Sequence, residues 1–243
     1  MNFSKFYTIQ ERNDIKTNQV ISRLVEKIIR FLKKYRKELD DKGFVGENGT
    51  TYWFPVKMVD KKYDDLYLVF MQEKEKTQAA FQRKQLNDGT VIKIIKLYVL
   101  KDISKGIGIS QILLHIKDNL LSFKSTLSHE LTHYFDDKKY EIEKSAMSIG
   151  DDLYKYYNIP HEVNAYWNSS VREMMEVLKQ SNTIKNIFLN KFDKFKSYFE
   201  DILRKENSFY VSLSPENKKR LLKRMYALWE EFREHFKEGK YYF

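Results

Sequence analysis

Residues 129–133 read HELTH, so two histidines lie four residues apart and a glutamate directly follows the first. On a helix this spacing puts both imidazoles on one face, where they can bind a single metal ion. Zn²⁺ accepts imidazole nitrogen, and in catalytic sites it binds three protein ligands and leaves one position to water. The pattern therefore predicts His129 and His133 as ligands of one zinc ion per chain, with Glu130 as the general base.

The third ligand must come from another segment, and it is not a cysteine because the chain has none. The best candidate is Glu162, which would lie in the first turn of a helix that starts near Pro160. Ala165, one turn later, is small enough to allow close approach to the first helix. His161 is a weaker alternative, since neighbouring helical residues point about 100° apart.

Asp136 and Asp137 follow His133 within about one turn of the same predicted helix. Either carboxylate could bind the metal, hold a ligand imidazole from outside the ligand set, or simply face solvent. Support of an imidazole is favoured over direct binding, and an exposed surface position is an equal alternative. An oxyanion would also need a donor. Tyr157 and Tyr166 are candidates among several tyrosines near Glu162 that the sequence does not distinguish.

The elements that position these residues fall into two classes along the chain. Apolar side chains at three- and four-residue spacing predict a long amphipathic helix over residues 14–39. Segment 72–86 is polar and ambiguous, and segment 109–116 fits either a strand or a short helix. Stretches rich in β-branched and aromatic residues predict strands at 51–59, 66–71 and 91–100.

Beyond residue 124 the apolar spacing is mostly helical. Helices are predicted over roughly 124–138, 160–180, 184–206 and 215–238. A helix, a small sheet and then a run of helices indicate an α+β fold. We expect one domain over residues 1–243, divided into an N-terminal helix (1–50), a sheet region (51–123), metal-site helices (124–182) and C-terminal helices (183–243).

HELTH followed by a glutamate on a second helix resembles the gluzincin branch of the zinc metallopeptidases. The pattern Pro160-x-Glu162-x-x-Ala165 is also similar to small cytoplasmic H-E-x-x-H proteins of phages and bacteria. This resemblance covers roughly residues 90–180. It implies a zincin-like fold, in which a small twisted sheet packs on the metal-binding helix and an edge strand pairs with an extended substrate. The candidate edge strands are 91–100 and 107–116.

Three positions differ from the patterns of neighbouring families of zinc peptidases. Tyr166 stands where the thermolysin-like pattern carries an aspartate, four residues after the glutamate ligand. Lys139 stands where the metzincin pattern carries a third histidine, and Asp136 replaces the glycine of that pattern. The metzincin family is therefore excluded.

These observations predict a zinc-dependent metallopeptidase that acts on an intracellular protein or peptide. The net charge of +10 leaves an alternative: a zincin-like module with structural zinc that binds nucleic acid or an acidic protein through basic helices. A hydrolase of non-peptide amides or esters is a third possibility. Because the first residues lack an apolar signal segment and no long apolar run follows, we expect a cytoplasmic protein without a membrane partner.

Overall fold

The computed structural model describes residues 14–41, 44–46, 49–72, 78–100, 108–140, 153–205 and 209–237. The start of the chain, on which the absence of a signal peptide was predicted, lies outside these ranges. Within them the chain forms α-helices and a four-stranded sheet, which confirms the α+β class. Residues 21–141 form one compact unit, here called the sheet unit; residues 1–20 and 142–243 form a second, the helical unit. A single zincin-like domain over 1–243 stays a prediction.

The sheet unit is built on four strands: β1 (Thr51–Pro55), β2 (Leu66–Gln72), β3 (Ala79–Gln85) and β4 (Val91–Leu100). Their order in the sheet is β1-β2-β4-β3. The two central strands, β2 and β4, run parallel, whereas β1 and β3 each pair antiparallel with one neighbour. The predicted first strand stops at Pro55, because Val56–Met58 turns into a 3₁₀ helix.

The polar segment whose structure the sequence left open forms β3. A tight turn at Asn87-Asp88-Gly89 connects β3 to β4. Gly89 has a φ of 84°, a left-handed conformation that glycine adopts without steric cost. The Asp88 carboxylate accepts the amide N–H of Thr90 at 2.9 Å and closes the turn. Period-two alternation is weak in this strand because its side chains are only partly buried.

Among the described residues, four helices accompany the sheet: α1 (Asp14–Lys34), α2 (Arg36–Asp41), α3 (Ile109–Asp118) and α4 (Leu120–Tyr140). The apolar stripe predicted for α1 is buried in the sheet unit from Ile21 to Leu32. Segment 109–116, which fits either a strand or a short helix in the sequence, is helical and lies in α3. The Asp40 carboxylate accepts the N–H of Ile109 at 2.9 Å, and so caps α3 from a distant part of the chain.

α4 contains the HELTH segment and packs against β3 and β4. Leu127, Leu131 and Tyr134 are fully buried in the core of the sheet unit. The sequence between 109 and 140 contains neither proline nor glycine, the residues that most often interrupt a helix. The two consecutive helices α3 and α4 are separated by a turn at Asn119. The apolar face of α4 therefore fixes which side of the helix carries the histidines.

Replacement of Leu127 by alanine should lower the free energy of unfolding by about 2–5 kcal/mol, because it removes buried methyl groups and leaves a cavity. Leu121→Ala on the same helix is the matched control. The Leu121 residue is 82% exposed, so its loss should change stability by no more than about 0.5 kcal/mol. Denaturant unfolding measures both values. Equal effects of the two substitutions would contradict the packing of α4.

In the described part of the helical unit, the first residues of α1 are followed by six further helices. Their bounds are α5 Leu153–Tyr157, α6 Pro160–Gln180, α7 Asn182–Asn190, α8 Phe192–Lys205, α9 Phe209–Ser212 and α10 Pro215–Lys237. Their core is rich in aromatic rings, including Trp167, Phe195, Phe199, Phe209 and Phe232. None of the helices in the described ranges combines the length and apolarity needed to cross a lipid bilayer.

The single helix predicted over 184–206 is wrong, because the structure has two helices there. The break lies at Lys191, whose backbone is extended with φ of −134° and ψ of 98°. Next to it, the Asn190 side chain donates to the carbonyl of Asn186 at 2.8 Å. Such a local side-chain bond competes with the helical backbone bonds, which is why asparagine favours helix ends.

Candidate metal centre

The two histidines of α4 lie side by side on the helix, as their spacing predicts. Their ring centroids are 5.0 Å apart, and the ring planes are inclined at 79°. His133 is buried, whereas His129 is partly exposed. The ring of Phe81, on β3, lies 6.4 Å from the ring of His133. The pair is therefore bordered by the apolar side chain of an edge strand.

Glu162 occupies the first turn of α6, as predicted. Pro160 begins this helix, where its fixed φ is compatible with helical backbone and its missing N–H costs no hydrogen bond. The Glu162 side chain is 6% exposed. A carboxylate in this position also interacts favourably with the positive end of the helix. Burial of this charge is nevertheless costly unless a cation or a donor faces it.

His129, His133 and Glu162 together could hold a metal ion. Each offers one ligand atom, a ring nitrogen or a carboxylate oxygen, and these atoms all lie within 4.8 Å of one another. Two imidazole nitrogens and one carboxylate oxygen form a donor set that suits Zn²⁺ and matches the three-ligand arrangement of catalytic zinc sites. The residues present therefore fit the predicted ion.

His161, the alternative third ligand, is not part of this group. Its Nε2 atom lies 3.6 Å from the Glu162 carboxylate. At this distance the imidazole can interact with the carboxylate of Glu162, as partners outside a set of metal ligands often do.

Glu130 is buried at 7% exposure and directly follows the first histidine. A carboxylate held in a mostly dry environment next to the candidate metal ligands is suitably located to accept a proton from water. Its role as general base stays a prediction, as does support of an imidazole by Asp136, which is also buried.

Asp137 makes contacts that the sequence did not reveal. Its two carboxylate oxygens face Arg83 Nη1 of β3 at 3.3 Å and Lys93 Nζ of β4 at 3.4 Å. Lys93 also lies 3.1 Å from the carboxylate of Asp65, which precedes β2. Recognition of β3 in the sequence would have placed Arg83 on the same strand face as Phe81, two residues earlier.

The hydroxyl of Tyr134, next to His133, donates to Asp65 Oδ1 at 2.8 Å. Burial, with the Asp65 carboxylate beside it, raises the pKa of this hydroxyl, so it stays a donor. Burial by itself would raise the pKa of Asp65. The hydrogen bond from Tyr134 and the ammonium group of Lys93 outweigh that effect and hold the pKa below its usual value.

This lowered pKa predicts a pH-dependent contribution to stability. A carboxyl whose pKa is lower in the folded state stabilises the fold above its unfolded pKa, and the contribution is lost as the pH falls through the folded value. The difference in unfolding free energy between the wild type and Asp65→Asn should therefore be constant near neutral pH and shrink below about pH 4. Urea unfolding across this range measures it. A difference that grows on acidification would contradict the Tyr134–Asp65–Lys93 contacts.

The structure places the two candidate oxyanion donors in an aromatic cluster of the helical unit. The Tyr157 ring lies 5.5 Å from that of Tyr166 and 5.8 Å from that of Phe209. Tyr166 stacks on Phe209 with centroids 4.4 Å apart. Tyr166 is also on the same side of α6 as Glu162, one turn away. A catalytic role for either hydroxyl stays a prediction.

The site can now be set beside known proteins. No family model matches the sequence, no curated protein matches it, and no solved structure matches the fold. The likeness to gluzincins is accordingly one of local pattern, carried by the HELTH segment and Glu162.

Proposed function

We propose that this chain is a zinc-dependent metallopeptidase with His129, His133 and Glu162 as metal ligands. The observation that carries the proposal is the convergence of the three ligand atoms within 4.8 Å of one another. A purely structural zinc site is usually closed by four protein ligands. The proposed set has three, and a glutamate directly follows the first of them.

Zinc, when bound, would lower the pKa of a water molecule towards neutrality and polarise the substrate carbonyl. Glu130 accepts the proton of the attacking water. As the C–N bond breaks, the same carboxyl donates this proton to the leaving amine nitrogen.

An extended substrate would pair with an edge of the sheet, and the structure changes which strand that is. β4, one of the two predicted edge strands, is central and lies between β2 and β3. The other predicted strand, 107–116, is wrong because α3 begins at Ile109; residue 107 lies outside the described ranges. The edges are instead β1 and β3.

Of these two edges, β3 is the better candidate. The edge of β1 is partly covered, since Gly46 donates to the carbonyl of Thr51 at 2.8 Å and Trp53 donates to that of Phe44 at 2.7 Å. Among the described strands, β3 pairs only with β4. It also borders the metal-binding helix, because Phe81 lies beside the ring of His133.

The hydrogen bonds of β3 indicate which of its residues face the open edge. At its two ends, Gln78 accepts from Tyr98 N–H and Leu86 donates to Thr90, so even-numbered residues bond to β4. The register between these ends is uninterrupted. In antiparallel pairs, alternate residues direct both backbone groups to the same neighbour. Phe81 and Arg83 therefore turn their N–H and C=O groups outwards, where an added strand could bind.

A cleavage assay tests the proposal. Zinc-loaded protein is incubated with peptides drawn from intracellular proteins, and products are identified by mass spectrometry. Cleavage should stop with a chelator and resume with zinc. N-methylation of the backbone on one side of the cleaved bond should weaken cleavage, because it prevents strand addition. Bound zinc without cleavage of any peptide, together with salt-dependent binding to DNA, would favour the basic binding module instead.

A further inference from the structure

Asp137 lies at the centre of a cluster of opposite charges within the sheet unit. Its carboxylate is 4% exposed and sits between Arg83 of β3 and Lys93 of β4. Lys93 is itself mostly buried and also pairs with the carboxylate of Asp65. Asp65 in turn accepts a hydrogen bond from the Tyr134 hydroxyl. Two cations and two carboxylates thus balance in charge, and they join α4 to β3, β4 and the residue before β2.

Such a cluster is a poor source of net stability. Removal of charged groups from water is expensive, and apolar residues of similar volume often stabilise a fold as well or better. Its strongest effect is on geometry, because a buried charge strongly disfavours any arrangement that leaves it unpaired. The contacts of Asp137 therefore restrict how β3 can lie against α4.

Arg83 connects the two parts of the proposed site. Its backbone groups face the open edge of β3, as the alternation of hydrogen bonds requires. Its guanidinium group reaches back to Asp137, which follows His133 by one helical turn. One residue therefore joins the edge that would receive a substrate to the helix that carries two of the metal ligands.

We infer that Asp137 and Arg83 are positioning residues, which hold β3 in register against α4 and so align an extended substrate with the metal centre. The expected effect on catalysis rests on the proposed function. The pairing of Asp137 with Arg83 also has a measurable effect that does not depend on that function. Both carboxylate oxygens of Asp137 face a cation. We therefore expect Asp137 to affect the metal centre through the position of β3.

The first test compares Asp137→Asn and Arg83→Gln with a control, Lys84→Gln. Lys84 is exposed and its side chain points to the other face of the strand. In Asp137→Asn and Arg83→Gln, kcat/KM for long peptides should fall about tenfold to a hundredfold, since small misplacement of a substrate has effects of this size. Cleavage of short substrates that do not reach β3, and zinc content, should change little.

Two further variants separate positioning from general damage. Arg83→Lys keeps the cation and should recover most of the activity on long peptides. The double variant Asp137→Asn/Arg83→Gln should lose no more than Asp137→Asn alone, because the first substitution already removes the contact with Arg83. Equal losses on long and short substrates would overturn the inference, as would loss of zinc in Asp137→Asn.

A second measurement needs no enzymatic activity. Amide hydrogen exchange of the β3 peptide should be faster in Asp137→Asn and in Arg83→Gln than in the wild type, and unchanged in Lys84→Gln. Exchange that is unaffected by both substitutions would refute the pairing, whether or not the protein cleaves peptides. Faster exchange in a protein without peptidase activity would retain the pairing and reject only the proposed function.

Discussion

Replacement of Glu130 by glutamine should lower kcat/KM for peptide hydrolysis by about 10²- to 10⁴-fold, the usual contribution of a general acid–base group. The amide has nearly the same shape as the carboxyl but cannot accept and return a proton. Steady-state kinetics with the zinc-loaded protein measures the effect. Zinc content and thermal stability should stay close to those of the wild type, because neither ligands nor core contacts change.

Glu26→Gln is a suitable control for this substitution. Glu26 lies on α1, is exposed, and has only a weak contact with Lys124 at 3.4 Å. It should retain wild-type activity. If Glu130→Gln were as active as this control, Glu130 would not be the base, and the proposed mechanism would be wrong even if zinc were bound.

The second large effect is expected for His133→Ala, which removes one of three metal ligands. Loss of a residue outside the ligand set typically lowers metal affinity by about 10- to 100-fold. Loss of a ligand should have a larger effect, so zinc affinity should fall by at least about 10²-fold. Peptidase activity should disappear with the metal. Titration of the metal-free protein with zinc in a competing chelator measures the affinity.

His235→Ala is the matched control for the loss of an imidazole. His235 lies near the end of α10, where its Nδ1 atom is 3.0 Å from the carbonyl of Glu231, and it is not in the ligand group. Its replacement should leave zinc affinity unchanged. Similar zinc affinities in His133→Ala and the wild type would remove His133 from the site.

Local patterns predicted most of the elements and the three residues that could hold a metal ion. The spacing of HELTH places two histidines on one helix face, and the start of α6 at Pro160 gives the position of Glu162. Both depend on interactions within about one helical turn, which a sequence displays directly. The three apolar strands were recognised for a similar reason, since their residue types are typical of buried strands.

The segments whose structure the sequence left open depend on contacts between distant residues. α3 is capped by Asp40, and β3 is a polar strand held by its pairing with β4 and by Arg83. The edge position of β3 follows from the order of the strands, which no single strand encodes. For the same reason the sequence left three roles open for Asp137: metal ligand, support of a ligand imidazole, or exposed surface residue. The pairing with Arg83 and Lys93 distinguishes these roles.

The central claim is that one zinc ion is held by residues of two separate sequence segments, and the zinc content of purified Glu162→Ala tests it most directly. Glu176→Ala is the control on the same helix, because Glu176 is exposed and its carboxylate pairs with the nearby Lys179 at 2.8 Å. Elemental analysis should find about one zinc per chain in the wild type and in Glu176→Ala, and far less in Glu162→Ala. Full zinc content in Glu162→Ala, or none in the wild type after zinc is supplied, would contradict the three-ligand site.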